Sequence, residues 1–240
     1  MNTDNKLKLP TKEFIDLFKE TPGAFSVCES IALMNICAQV IPGNYIEAGS
    51  NAGKSGMSAA HGLPKGKFYM IDPIYDLTNL EAWEHTIQGH PDNLPWGYAA
   101  AKGFKDKVKE RILFASGKKV EPVLLGSYSE KEIPLHGDYT YAFIDSDNHQ
   151  MERVLAEINL LNPLMKSGAI IAFHDFGNQY ISPREVHAQM ISTGEWENIS
   201  INWKEIFDYV RENNLEEGNN SWHEKGSEEF PKFVGALRRK

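Results

Sequence analysis

The sequence predicts an α/β domain built on an open, mostly parallel sheet with helices on both faces. Three observations carry this. Short apolar runs and amphipathic stretches alternate along the chain, strand then helix, from Asn44 onward. Runs such as "AIIAF" (169–173) are apolar at every position, as strands covered on both faces require. Acids and glycines recur where the runs stop, at the carboxyl ends of the predicted strands, where ligands bind in such folds. The 240 residues are enough for one domain with a sizeable core, and neither repeat nor linker divides them. Residues 1–43 are expected to be helices packing on the core, and 44–240 the main domain, with a lid insertion near 74–98.

The elements follow in order. "TKEFIDLFKETP" opens with a Thr cap and sets Phe14, Leu17 and Phe18 on one helical face. A second helix covers "SVCESIALMNICAQVI" and stops near Pro42-Gly43. "NYIEAG" is the first strand, and a helix runs from near Gly53 to near Gly62. "KFYMID" is the second strand, ending on Asp72. Residues 74–98 are irregular and rich in His, Trp, Pro and Asn. A loop of that length is functional or disordered, and its aromatics (Trp83, Trp96, Tyr98) favour a lid over an acceptor pocket. "AAAKGFKDKVKERI" is helical, "VEPVLLG" the third strand and "YTYAFIDSD" the fourth. The next helix, "QMERVLAEINLLNPLM", spaces Val154, Leu155, Ile158 and Leu161 on one face. Lys166-Ser167-Gly168 turns the chain into the fifth strand, "AIIAFHDF". A helix near 183–193 and a last strand, "FVGALRR", complete the pattern; the charged stretch before that strand reads as a solvated loop.

The net charge of -8 disfavours nucleic acid or an anionic membrane as partner, since either needs basic clusters. A small-molecule ligand fits better. The amino terminus lacks an apolar h-region and no run is long enough to span a bilayer. Cys28 and Cys37 match no metal or disulfide framework and read as buried thiols, consistent with a reducing cytoplasm. The oligomeric state is open, a homo-oligomer included.

"YIEAGSNAGKS" has two readings. Ala48 to Ser55 is a nucleotide P-loop short of its first glycine. Glu47 and Asp72 speak against it, because they place carboxylates beside a polyanion. For a nucleoside with a positive sulfonium the same acids are favourable: Asp72 is placed to accept hydrogen bonds from ribose hydroxyls about 20 residues past the glycine turn, and Glu47 adds negative potential near the cation. Gly49 and Gly53, flanking Ser50, allow backbone and ligand to approach closely. The nucleoside cradle is the preferred reading. A P-loop phosphotransferase and a non-catalytic nucleoside-binding module are the alternatives.

Five stretches in order, "YIEAGSNAGKS", "FYMIDPIY", "VLLGSYSE", "YAFIDSDNHQMERVLAEINLLNPLMKSG" and "AIIAFHDF", resemble the motifs of class I S-adenosylmethionine-dependent methyltransferases. The last two resemble the branch that includes the macrocin and mycinamicin sugar O-methyltransferases. The resemblance spans residues 44–178 and the final strand. It implies a Rossmann-like, doubly wound sheet of seven strands with an antiparallel last strand, and S-adenosylmethionine as cofactor. It also implies an O-methyltransferase for a small hydroxylated acceptor, a sugar or natural product among the options. The implied cofactor contacts are Glu47, Gly49, Ser50, Gly53, Asp72, Asp145 and, beside the adenine, Ser127.

A hydroxyl acceptor has a high pKa and needs a base or a metal. By analogy with metal-dependent relatives, Asp145, His174 and Asp175 are the candidate ligands for Mg²⁺ or Mn²⁺, and Asp145, His149 and His174 the candidate catalytic groups, with His149 as the base. The family run is Asp-Gly-Asp-His, whereas here Asn148 delays the histidine by one position, and "MKSGA" replaces the usual Pro-Gly-Gly turn. Plainer roles are open as well: Asp145 as a helix cap, His174 as a packing histidine, His149 as a solvated residue at a helix start.

Overall fold

The structure is a computed structural model that describes residues 7–23, 25–76, 103–145, 150–176, 181–215 and 234–240. Its helices are α1 (Lys12–Glu20), α2 (Val27–Cys37), α3 (Lys54–Gly62), α4 (Phe104–Ala115), α5 (Ser129–His136), α6 (Met151–Leu161), α7 (Ser182–Ser192) and α8 (Trp203–Glu212). The strands are β1 (Gly43–Ala48), β2 (Gly66–Ile71), β3 (Val120–Leu125), β4 (Tyr139–Ile144), β5 (Met165–Phe173), β6 (Trp196–Asn198) and β7 (Gly235–Arg239). They form one seven-stranded sheet in the order β3-β2-β1-β4-β5-β7-β6. Strands β1 to β5 pair in parallel, while β7 is antiparallel to both β5 and β6. The Rossmann-like class and the antiparallel last strand are as expected.

Alternate strand residues feed two cores. Tyr45, Phe68, Tyr141, Phe143 and Ile170 face α1–α4 and α8; Ile46, Ile71, Tyr139, Ala142 and Ile171 face α5–α7. All six residues of β4 are buried, Thr140 among them, which explains why the stretch shows no apolar–polar alternation. On the first face α1 is capped by the Thr11 side chain, which accepts from the Phe14 N–H, and it buries Phe14, Ile15 and Phe18. Helix α2 is buried nearly all round, and the Ser30 hydroxyl meets the Ser58 hydroxyl of α3 at 2.7 Å.

Some local expectations differ. The segment Lys166–Gly168 is not a turn before β5 but part of the strand. The chain advances from Met165 to Ile170 while β4 advances from Tyr139 to Tyr141, and the irregularity is taken up by Gly168 at φ 79°. Helices α5 and α8 were not anticipated, and the seventh strand that the resemblance implies is the three-residue β6, which the sequence reading had not placed. Helix α5 contains Pro134 and buries only Ser129 and Ile133; α8 buries only Ile206 and Val210. The short α5 leaves little periodic signal, whereas α8 sets Trp203, Ile206, Phe207 and Val210 at helical spacing, a pattern the sequence reading passed over. Cys37 is buried, Cys28 half-buried, and neither is in a disulfide. No helix among the described residues is long and apolar enough to cross a membrane. The expected lid falls largely on residues 77–98, outside the described residues, as does most of the charged stretch before β7.

Candidate active site

Register builds the site. Ala48 pairs with Ile71 of β2 and with Ile144 of β4, and Ile144 pairs with Phe173 of β5. The residues that follow these four, Gly49, Asp72, Asp145 and His174, therefore stand in one row across four adjacent strands. The row crosses the point between β1 and β4 where the strand order reverses, the usual ligand crevice of an open α/β sheet.

On the β1–β2 side the chain makes a tight turn. Gly49, Asn51 and Gly53 all have left-handed φ (86°, 43° and 79°). The N–H groups of Gly49 and Ser50 donate to the Ile71 carbonyl at 3.0 and 3.2 Å, and the Asn51 N–H donates to Asp72 Oδ2 at 2.7 Å. Asp72 Oδ1 accepts from the Ile74 N–H at 3.0 Å, which caps the 3₁₀ turn Pro73–Tyr75. Two backbone donors thus orient the Asp72 carboxylate against the glycine turn. Gly53 is required twice over: by its φ, and because a Cβ there would lie 2.8 Å from Val108 Cγ1 of α4. The close approach seen at Gly53 is thus to α4.

Glu47 lies wholly buried beneath this turn. The Ser55 hydroxyl of α3 donates to its Oε1, while Oε2 has no hydrogen-bond partner among the described residues. Burial, with further help from Asp145 and Asp72, pushes its carboxyl up to about 8 against the pull of Ser55 and His174. Gly56, which sequence reasoning passed over, makes room for this acid: a Cβ there would stand 2.8 Å from Oε2. Lys54 gives the P-loop reading no support. Its Nζ sits 4.4 Å from the centroid of the Phe18 ring and 3.5 Å from the Gly23 carbonyl, directed at the amino-terminal segment. Ser50 is buried under the turn, and half-buried Ser127 follows Gly126, whose backbone packs on Asp76 where the loops after β2 and β3 meet.

On the β4–β5 side, Asp145, His174 and Asp175 bring one candidate ligand atom each within 4.8 Å of one another. His174 Nδ1 is 2.8 Å from Asp145 Oδ1 and 3.6 Å from Asp175 Oδ2, and Asp175 sits at a left-handed φ of 49°. The other ring nitrogen, Nε2, is 3.0 Å from Oε1 of Glu29, a residue of α2 that the sequence did not single out. Burial opposes a charge on His174, but Asp145 and Glu29 together outweigh it and hold its pKa well above the ordinary value. An imidazole flanked by two carboxylates donates from both nitrogens and keeps no lone pair for a metal. Hence His174 does not fit a metal-ligand role while both bonds are made. A cation in this cluster would require the ring to lose a proton and release Asp145. His149 lies outside the described residues.

An open sheet of this order, with a glycine turn after β1 and acids closing β2 and β4, defines the Rossmann-like methyltransferase fold. Residues 46–176 match the family model for the methyltransferase domain, over half of the chain. The chain belongs to that family and is a class I S-adenosylmethionine-dependent methyltransferase. Among solved structures it is similar to an O-methyltransferase from Bacillus cereus in complex with S-adenosylhomocysteine. That match has 13% identity and a TM-score of 0.52, covering 96% of this chain and 93% of that one. It is also similar to TomG, an O-methyltransferase from Streptomyces achromogenes involved in tomaymycin synthesis, in complex with S-adenosylmethionine. Here the identity is 12% and the TM-score 0.53, covering 98% of this chain and 92% of that one. At such identities the likeness is one of fold. A comparison with curated proteins finds no match.

Proposed function

We propose that the protein transfers a methyl group from S-adenosylmethionine to a hydroxyl of a small molecule, a sugar or natural product being the favoured acceptor class. The observation that carries this is the strand-end row: a glycine turn and oriented Asp72 on one side of the crevice, Asp145 and His174 on the other. The bound cofactor supplies an activated methyl group and a leaving group that departs with the electron pair of the broken S–C bond. The chain's own residues do the rest. Asp72 accepts from the ribose hydroxyls, with Gly49, Ser50 and Gly53 forming the turn beneath and Ser127 flanking the adenine. Asp145 faces the acceptor, held in place by His174. The hydroxyl proton goes to a base as the new O–C bond forms, and His149, four residues beyond Asp145, is the group assigned to take it.

The hydrogen-bond geometry speaks against metal assistance through His174, because neither ring nitrogen is open to a cation while Asp145 and Glu29 hold them. No step is derived through a metal. Two measurements test the reading. In isothermal titration S-adenosylhomocysteine should bind and ATP should not. Labelled methyl from S-adenosylmethionine should appear on a member of a panel of hexoses, glycosides and catechols, and excess chelator should leave that turnover intact. ATP binding without S-adenosylhomocysteine binding sinks the proposal. Loss of turnover in chelator, restored by Mg²⁺ or Mn²⁺, would return the cluster to a metal role.

A further inference from the structure

Helix α2 lies before the stretch that matches the methyltransferase family, yet it delivers a side chain to the site. We propose that Glu29 is a positioning residue that clamps the His174 ring, so that Nδ1 stays on Asp145 and the acceptor side keeps its shape. The clamp is read directly from the structure; what it serves rests on the O-methyltransferase reading.

Glu29 has two jobs, one for each oxygen. Oε2 accepts from the Ser26 N–H at 2.7 Å, closing a capping box in which the Ser26 hydroxyl accepts from the Glu29 N–H at 3.2 Å. Oε1 faces His174 Nε2 at 3.0 Å. The cap alone does not call for a buried carboxylate, since glutamine completes a capping box too and such residues ordinarily sit in water. Here Glu29 is only 3% exposed and His174 7%. A carboxyl group so far from water needs a hydrogen-bonded partner for each oxygen, and His174 is the partner of Oε1. The same segment restricts the ring from its face: Phe25, just before the cap, packs on His174 with centroids 5.2 Å apart, and Phe143 of β4 stands at 6.1 Å. A half-turn of the imidazole about its Cβ–Cγ bond would break the bonds to Asp145 and Glu29 together. With Glu29 gone, Nε2 would be buried without an acceptor among the described residues, and none of them would hold the orientation on that side.

Three variants separate positioning from plain structural support. Glu29→Ala removes clamp and cap. Glu29→Gln keeps the cap, so it folds even where the alanine variant does not, and changes the group facing Nε2. Ser26→Ala removes the hydroxyl cap but leaves the N–H that holds Oε2. The first readout needs no acceptor. In ligand-free protein labelled with ¹⁵N-histidine, long-range ¹H–¹⁵N spectra should show one histidine with a slowly exchanging proton on Nε2. It should be absent in His174→Gln, preserved in Ser26→Ala, and stripped of its Nε2 proton in Glu29→Gln. A Glu29→Gln spectrum identical to wild type, or no protected Nε2 proton in wild type, overturns the clamp.

The second readout uses the panel acceptor that wild type turns over fastest. Glu29→Gln should lower kcat about ten-fold or more with KM for S-adenosylmethionine within about two-fold, and Ser26→Ala should match wild type in both. Wild-type kcat in Glu29→Gln overturns the functional half of the proposal. A protein that shows the protected ring but methylates nothing in the panel and fails to bind S-adenosylhomocysteine contradicts the O-methyltransferase reading and leaves the clamp standing.

Discussion

Replacing Glu47 by glutamine should make the protein more stable as pH rises, relative to wild type. The Glu47 carboxyl stays protonated to about pH 8 in the fold, whereas its ordinary value is 4.5. Between those limits the folded chain keeps a proton that the unfolded chain has released. Folding then binds more protons than the unfolded state holds, so wild-type stability falls with rising pH across that window. The limiting slope is about 1.4 kcal/mol per pH unit, and the change accumulated between about pH 5 and pH 8 is about 3 kcal/mol. Glutamine keeps an oxygen to accept from Ser55 and cannot ionise. Its NH₂ group takes the place of Oε2, which already lacks a partner, so the amide carries a pH-independent penalty of about 1–3 kcal/mol. Other titrating groups are common to both proteins and cancel in the difference. Urea unfolding of wild type and Glu47→Gln at half-unit pH intervals measures that difference directly. It should tilt in favour of glutamine by about 3 kcal/mol from pH 5 to pH 8. Parallel stability curves would refute the reasoning and mean that Glu47 ionises in the fold as readily as in water.

Asp72→Ala should weaken S-adenosylhomocysteine binding by about 1.5–3 kcal/mol in isothermal titration. It should also lower the melting temperature, because the Asn51 and Ile74 N–H groups lose their acceptor; an unchanged Kd removes Asp72 from the ribose. Gly53→Ala should destabilise by about 2–4 kcal/mol in urea, combining about 1–2 for the left-handed backbone with the clash at Val108. A loss below about 0.5 kcal/mol would show that α4 yields freely. Lys54→Met should leave S-adenosylhomocysteine affinity within about two-fold and lower stability by about 0.5–2 kcal/mol, the scale of a cation over an aromatic ring. A large drop in affinity would instead place the lysine on the ligand.

The β1–β2 side of the strand-end row was legible because its signals are local. An apolar run ending in Asp72 or Asp145 states both the strand and the end on which the acid stands, and Gly49 and Gly53 announce the turn between. The β4–β5 side was legible only in part. His174 and Asp145 lie 29 residues apart on adjacent strands, close enough in the pattern to be grouped. Glu29 lies 145 residues from His174 and already had a sufficient local explanation in the capping box with Ser26. The one available signal was its company: an acid on a helix whose neighbours Ser30, Ile31, Ala32, Leu33 and Met34 are all buried has to face a partner. Gly56 went unnoticed for a related reason. Nothing in "KSGMSAA" says that the helix passes over a buried carboxylate on β1. Lys54, expected on the cradle reading to be a solvated residue early in the helix, is instead buried, its direction set by Phe18 and the Gly23 carbonyl rather than by the glycine turn.

Strand β7 has a consequence for how the fold fails. It fills a slot between β5 and β6, pairing through Gly235–Arg238 on one side and Leu237–Arg239 on the other. If β7 slips out, the sheet gains two unpaired edges that face each other, spaced to receive one extended strand. β5 would present the apolar run 170–173 to that gap. Such a slot selects for a guest of β7's own kind, and in a concentrated solution the readiest source is the same strand of another molecule. Partial unfolding at this edge therefore opens a route to strand exchange between two molecules.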